Sequence, residues 1–243
     1  MTHNRPSSWT AGLSRLAARA VELQLLLPLT ACLALLWALM KMTGEVLEGD
    51  TRGLDLWILS QLRRPDLSPA GPAWLLDVAR DLTSLGGPSV LVLVTLGVGL
   101  GLWVADRHRM AAMVGGSALG GLALTMVFKE LMGRSRPDAA YHLMAAWGPS
   151  FPSGHAMMSA VVYLTIAALL ARLTSRPALR LCLVGMAAAL SGIVGLTRIY
   201  LGVHWASDVV AAWLAGALWA GLAWSLSVWT EPAARPATVA PRA

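Results

Sequence analysis

Six stretches of this chain carry no charged residue and approach or exceed the length that crosses a bilayer: residues 23–40, 82–105, 110–128, 156–171, 181–197 and 209–230. A hydrocarbon layer about 30 Å thick takes about 20 helical residues to cross. The fourth and fifth runs are short and need flanking residues to complete them. Only 13% of the 243 residues are charged, against about 25% in soluble domains. The sequence therefore predicts an all-α, polytopic membrane protein with six transmembrane helices in one bundle.

The net charge of +6 invites a nucleic-acid partner, but the distribution of charge argues against one. With the N-terminus inside, the inner segments hold Arg5, Arg15, Arg19, Arg107, Arg109, Arg172, Arg176, Arg180, Arg235 and Arg242, opposed only by Glu22, Asp106 and Glu231. The outer segments carry the remaining bases and slightly more acids. This is the positive-inside pattern, and it predicts two cytoplasmic termini in a bacterial inner membrane. The basic character reflects topology, and no nucleic acid is expected.

Residues 1–20 read as a polar, basic start, residues 21–230 as the six-span domain, and the Pro- and Ala-rich residues 231–243 as a disordered tail. Leu29-Thr30-Ala31-Cys32 resembles a lipoprotein processing site, but the apolar run continues past Cys32 through "LALLWALM", so an uncleaved first span is expected. Cys32 and Cys182 both fall in spans and read as buried packing residues. Residues 43–81 form a long outer segment between spans one and two. Its "LDLWILSQLRR" and "WLLDVARDL" have apolar residues at helical spacing, suited to lying along the membrane surface or packing over the bundle.

The chemistry must come from polar residues at span ends, where charge is expensive. Lys129 closes the third span, and Arg136-Pro137 follows. Pro152-Ser153-Gly154-His155 opens the fourth. Arg198 ends the fifth, and His204 and Asp208 lie where the sixth begins. Antiparallel spans bring these ends to one side. Lys129, Arg136 and Arg198 are cationic donors suited to phosphate oxygens. Ser153 is read as the cap of the fourth helix, with free amides near Gly154 and His155 adding donors. His204 and Asp208, four apart, share a helical face, so the carboxylate can hold one imidazole nitrogen and leave the other nucleophilic. His155 remains as proton donor. Together these describe a phosphatase working through a phosphohistidine.

The three motifs resemble those of the type 2 phosphatidic acid phosphatase superfamily, which also contains the vanadium haloperoxidases. That pattern is Lys, six residues, Arg-Pro; then Pro-Ser-Gly-His; then Ser-Arg, five residues, His, three residues, Asp. All spacings match over residues 129–208, with Thr197 in place of the usual serine. The resemblance implies His204 as nucleophile, His155 as general acid, Asp208 as its orienting carboxylate, and Lys129, Arg136, Ser153, Gly154 and Arg198 as phosphate ligands. It also implies catalysis without a metal ion or cofactor, in keeping with a motif set that lacks the carboxylate cluster magnesium needs.

An outward-facing site suits a lipid phosphate anchored in the outer leaflet. The resemblance allows undecaprenyl diphosphate, phosphatidate, phosphatidylglycerol phosphate, diacylglycerol diphosphate and lipid A phosphates, with polyprenyl diphosphate the leading expectation. A phosphotransferase with the same intermediate is the main alternative. Six lipid-exposed spans argue against a haloperoxidase, and the intact cradle argues against a relict binding or transport protein. Arg134 and Asp138 are read as solvated loop charges, Glu130 as having no need to face Lys129, and His142 as exposed in preference to touching a substrate headgroup. His3 and His108 are assigned no role, and Met157 and Met158 are read as apolar wall.

Overall fold

The computed structural model describes residues 8–230 along the backbone and the side chains of residues 26–229. The readings on His3 and on the tail 231–243 lie outside the described residues. The described chain is all helical apart from loops and one isolated bridge, Arg63–Pro69. It begins with α1 (Ser8–Glu48), which runs on past Cys32. Pro28 lies inside α1, where it can donate no backbone hydrogen bond. Nearby, Thr30 Oγ1 donates to the carbonyls of Leu26 and Leu27.

The outer segment folds into two short helices, α2 (Arg52–Gln61) and α3 (Ala73–Ser84). On α2, Leu54, Leu56 and Trp57 are exposed while Asp55 and Leu59 are buried, so its faces are cleanly divided. Then come α4 (Pro88–Val104), α5 (His108–Met132), α6 (Gly154–Ala171), α7 (Pro177–Tyr200) and α8 (Ala206–Thr230). The expected second span, 82–105, straddles a break. Gly86-Gly87 ends α3, and Pro88 starts α4 at the first-turn position proline tolerates.

Among the described residues five helices are long and apolar enough to cross a membrane: Leu26–Glu48 of α1, α5, α6, α7 and Ala206–Trp229 of α8. The pair α3 and α4, bent by 45°, passes the same test together and, counted as one broken span, brings the number to six. The two runs that looked short are completed by their flanks, α6 by Gly154 and His155 and α7 by residues 177–180 and 198–200.

Helix α6 is the axis of the bundle, packed chiefly between α7 and α8. Small residues let the backbones approach. A Cβ on Gly216 would meet the Ala160 methyl, and one on Gly121 would meet Val161. Phe151, Met157, Val161, Val209, Ala211 and Ala212 form the central core with essentially no exposure. The outward faces of α1, α4 and α7 show Leu33, Trp37, Leu93, Leu96, Leu181 and Leu196, the surface that lipid requires. Cys32 is buried as expected, but Cys182 is exposed on the outer face of α7.

Candidate active site

The three motifs meet at one end of the bundle, because α5 and α7 finish where α6 and α8 begin. The Ser153 amide donates to the Asp208 carbonyl at 3.2 Å, which joins the start of α6 to the first turn of α8. Gly154 faces α5, since a Cβ there would lie 3.8 Å from Lys129 Cε. His155 lies within electrostatic range of Arg198, His204, Arg136 and Lys129. Its ring makes no hydrogen bond among the described residues.

The turn 200–203 delivers His204. Gly202 has φ +71°, and a Cβ there would run into the Tyr141 carbonyl and the Arg63 guanidinium. Arg63 clamps this corner, donating to the carbonyls of Leu62, Tyr200 and Tyr141. His204 is 2% exposed and Asp208 is fully buried. His204 Nδ1 lies 3.4 Å from Asp208 Oδ2, which also accepts the Trp205 amide at 3.0 Å. His204 Nε2 lies 3.0 Å from Arg136 Nη1. A guanidinium only donates, so Nε2 carries the lone pair and Nδ1 the proton. That is the tautomer a nucleophilic Nε2 needs.

Arg136 is heavily engaged. Nε donates to Gly148, Nη1 to Val203, and Nη2 to Trp147 and Pro149, so with His204 all five N–H groups have acceptors. Burial holds its guanidinium below its ordinary pKa, with the Asp208 charge opposing. Lys129 Nζ donates to Pro149 O at 2.6 Å. Arg198 Nη1 reaches Thr83 Oγ1 and Met144 Sδ.

Ser153 occupies the N-cap of α6, but its hydroxyl makes no capping bond, contrary to expectation. Among the described residues three buried side-chain polar atoms lack a partner: Ser153 Oγ, Arg198 Nε and Arg63 Nε. An unpaired buried polar group costs about 1–3 kcal/mol. Two of the three belong to the motifs, and both fit an anion with several acceptor oxygens. Thr197 is no part of this set, because its hydroxyl donates to Val194 O at 2.6 Å.

Arg134 corrects the sequence reading. It is no solvated loop charge, since its side chain is only 16% exposed and bridges two buried carboxylates. Nη1 bonds Asp208 Oδ1 and Ser207 Oγ, and Nη2 bonds Asp55 Oδ2 at 2.9 Å. Asp55 was also missed, and its signal was a carboxylate in register with Leu59 on the inward face of α2. Asp138 is exposed as expected, and it caps the short 3-10 turn Ala139–Tyr141. His142 is half-buried rather than exposed, with Nε2 3.0 Å from Pro137 O. Glu130 is exposed, and Met157 is buried wall, the latter as read.

Comparison with known proteins bears on the family and the fold. Residues 111–231 match the PAP2 superfamily. The chain is 35% identical over 153 residues to phosphatidylglycerophosphatase B of Bacillus subtilis (strain 168), covering 60% of this chain and 71% of that protein. Among solved structures it is similar to a transmembrane PAP2 type phosphatidylglycerolphosphate phosphatase from Bacillus subtilis. The TM-score is 0.74 at 26% identity, over 82% of this chain and 97% of that one. It also shares its fold with Aquifex aeolicus LpxE, at a TM-score of 0.50 and 23% identity, over 65% and 88% of the two chains.

Proposed function

This chain belongs to the PAP2 superfamily and is a multi-pass membrane lipid phosphatase, and from that premise we propose that it removes the phosphate of a glycerophospholipid phosphomonoester through a phosphohistidine on His204. Phosphatases of this superfamily work without a metal ion. The chemistry therefore falls to side chains.

The orientation of His204 carries the reading. Its Nε2 lone pair attacks phosphorus as the bond to the lipid oxygen breaks, and His155, protonated once the phosphate dianion sits beside it, gives that oxygen its proton. Asp208 holds Nδ1–H and stabilises the charge that develops on the ring. Water then attacks phosphorus, the N–P bond breaks, and neutral His155 takes the water proton. Lys129, Arg198, Ser153 and the amides opening α6 at Gly154 and His155 bind the phosphate oxygens. Arg136 joins them by turning its Nη1–H from His204 Nε2 to a phosphate oxygen, which frees the lone pair for attack.

Similarity to a phosphatidylglycerophosphatase favours phosphatidylglycerol phosphate over the polyprenyl diphosphate preferred from sequence. The charge pattern supports a site facing the periplasm or cell exterior, with cytoplasmic termini. Inorganic phosphate release by the purified enzyme tests the reading, using phosphatidylglycerol phosphate, phosphatidate and undecaprenyl diphosphate, with His204→Ala as control. Fastest release from phosphatidylglycerol phosphate supports it. Transfer of label to a lipid or sugar acceptor without phosphate release would favour the phosphotransferase.

A further inference from the structure

We infer that Arg134 and Asp55 are positioning residues for the His204–Asp208 pair, so that the outer helix α2 is part of the catalytic apparatus. The inference rests on the reading of His204 as nucleophile. Asp208 has two oxygens with different tasks. Oδ2 faces His204 Nδ1 and the Trp205 amide. Oδ1 faces Arg134 Nη1, the only cation bonded to it among the described residues. The carboxylate is fully buried. Without Arg134, Oδ1 would be an unpaired buried anion, and the group would rotate or take a proton. Either change releases the Nδ1 tautomer of His204.

Arg134 is itself held from α2. Asp55 Oδ2 accepts from Arg134 Nη2, and Thr51 Oγ1 lies 3.3 Å from the same nitrogen. Asp55 is 2% exposed. Its Oδ1 takes the Ser207 amide at 2.9 Å and its Oδ2 the Ser207 hydroxyl at 2.6 Å. Asp55 thus caps the first turn of α8 from a different helix, where a carboxylate also meets the positive end of the helix dipole. The Trp205 ring lies 5.8 Å from the Arg134 guanidinium and donates its indole N–H to Ser135 O. The turn bearing His204, Trp205, Ser207 and Asp208 is therefore fixed by α2 and by residues 134–135 of the loop after α5. No Arg134 donor bonds Lys129, Ser153 or Arg198, so its loss should slow chemistry without weakening phosphate binding.

The test uses the purified full-length enzyme in detergent, with phosphatidylglycerol phosphate as substrate and inorganic phosphate as the probe of binding. For Arg134→Gln, kcat and the rate of phosphohistidine formation should fall about 10²-fold. KM and the inhibition constant of inorganic phosphate should stay within about twofold. In an Asp208→Asn background the same substitution should cost less than about threefold, because residues acting as a unit are non-additive. Asp55→Asn keeps the shape of the cap and should lower kcat about tenfold; it decides the matter if Arg134→Gln does not fold. A purely structural clamp would give additive losses or an altered KM, and either result overturns the inference. A wild type that labels no histidine overturns the reading of the site and this inference together. A wild type that labels His204 normally, beside an equally fast Arg134→Gln, overturns this inference alone.

Discussion

Arg136 Nη1 lies 3.0 Å from His204 Nε2 and donates to it, so the nitrogen assigned to attack phosphorus is held unprotonated by its neighbour. Burial pushes the His204 imidazole down from its ordinary 6.5 to about 4, against the opposing hydrogen bond and charge of Asp208. A lowered histidine pKa favours the neutral ring above it, so the proposed nucleophile is in its reactive form at neutral pH and loses it only as pH falls through about 4. Histidine-selective carbon-13 NMR, with His204 assigned by its disappearance in His204→Gln, should show the neutral Nδ1–H tautomer from pH 7 down to about 5. A midpoint near the ordinary histidine value would contradict this account of the site.

Removing the nucleophile should end turnover of every substrate. His204→Ala has no atom on which to carry the phosphoryl group, and rapid quench of the wild type with labelled substrate should place the label on His204. Label accumulating on His155, or near-normal rates in His204→Ala, would reverse the assigned roles.

His155→Ala should depend on the leaving group. A lipid alkoxide needs a proton as its bond breaks, and general-acid help typically contributes about 10²–10⁴-fold. The variant should lose a factor in that range with phosphatidylglycerol phosphate and much less with p-nitrophenyl phosphate, whose leaving group is stable as an anion. Equal losses on both substrates would remove His155 from the acid role.

Topology is tested at two exposed positions on opposite ends of the bundle, Ala140 in the motif-bearing loop and Arg176 before α7. In a background where Cys32 and Cys182 are serine, an impermeant thiol reagent on intact cells should label Ala140→Cys and leave Arg176→Cys unlabelled. The reverse pattern would place the site in the cytoplasm.

Gly202→Ala should be costly. Its backbone is left-handed at φ +71°, a region that costs an L-residue roughly 1–2 kcal/mol, and the added Cβ would strike the Tyr141 carbonyl. The damage falls two residues before His204. A lowered melting temperature should therefore be accompanied by a lowered kcat. Wild-type values for both would mean the turn has other ways to close.

Much of the bundle could be read along the chain because lipid imposes a one-dimensional rule. A helix must be apolar over its whole length to cross, so 110–128 announced α5 and 209–230 announced α8. The residues of the candidate site were equally legible, since Lys129, Arg136, Ser153, Gly154, His155, Arg198, His204 and Asp208 stand at fixed spacings on span ends. The break at Gly86-Gly87-Pro88 and the exposure of Cys182 were not, because composition records that a segment is apolar and not which face meets lipid.

Only the tertiary structure decided what Arg134 does. Its neighbours in sequence are loop residues, and on that ground it read as solvated. Its partners Asp55, Ser207 and Asp208 come from α2 and α8, 73 to 79 positions away along the chain. Burial of a charge is a property of what folds around it, and the desolvation penalty that made Arg134 look implausible as a buried group is offset only when both carboxylates arrive. The same holds for Ser153. Sequence placed it at a helix start, where a hydroxyl usually caps, but the packing of α6 against α5 and α8 left that hydroxyl unpaired beside the other motif residues. Local spacing determined which residues could take part, and the convergence of distant helix ends determined which of them hold one another and which keep an unpaired polar atom.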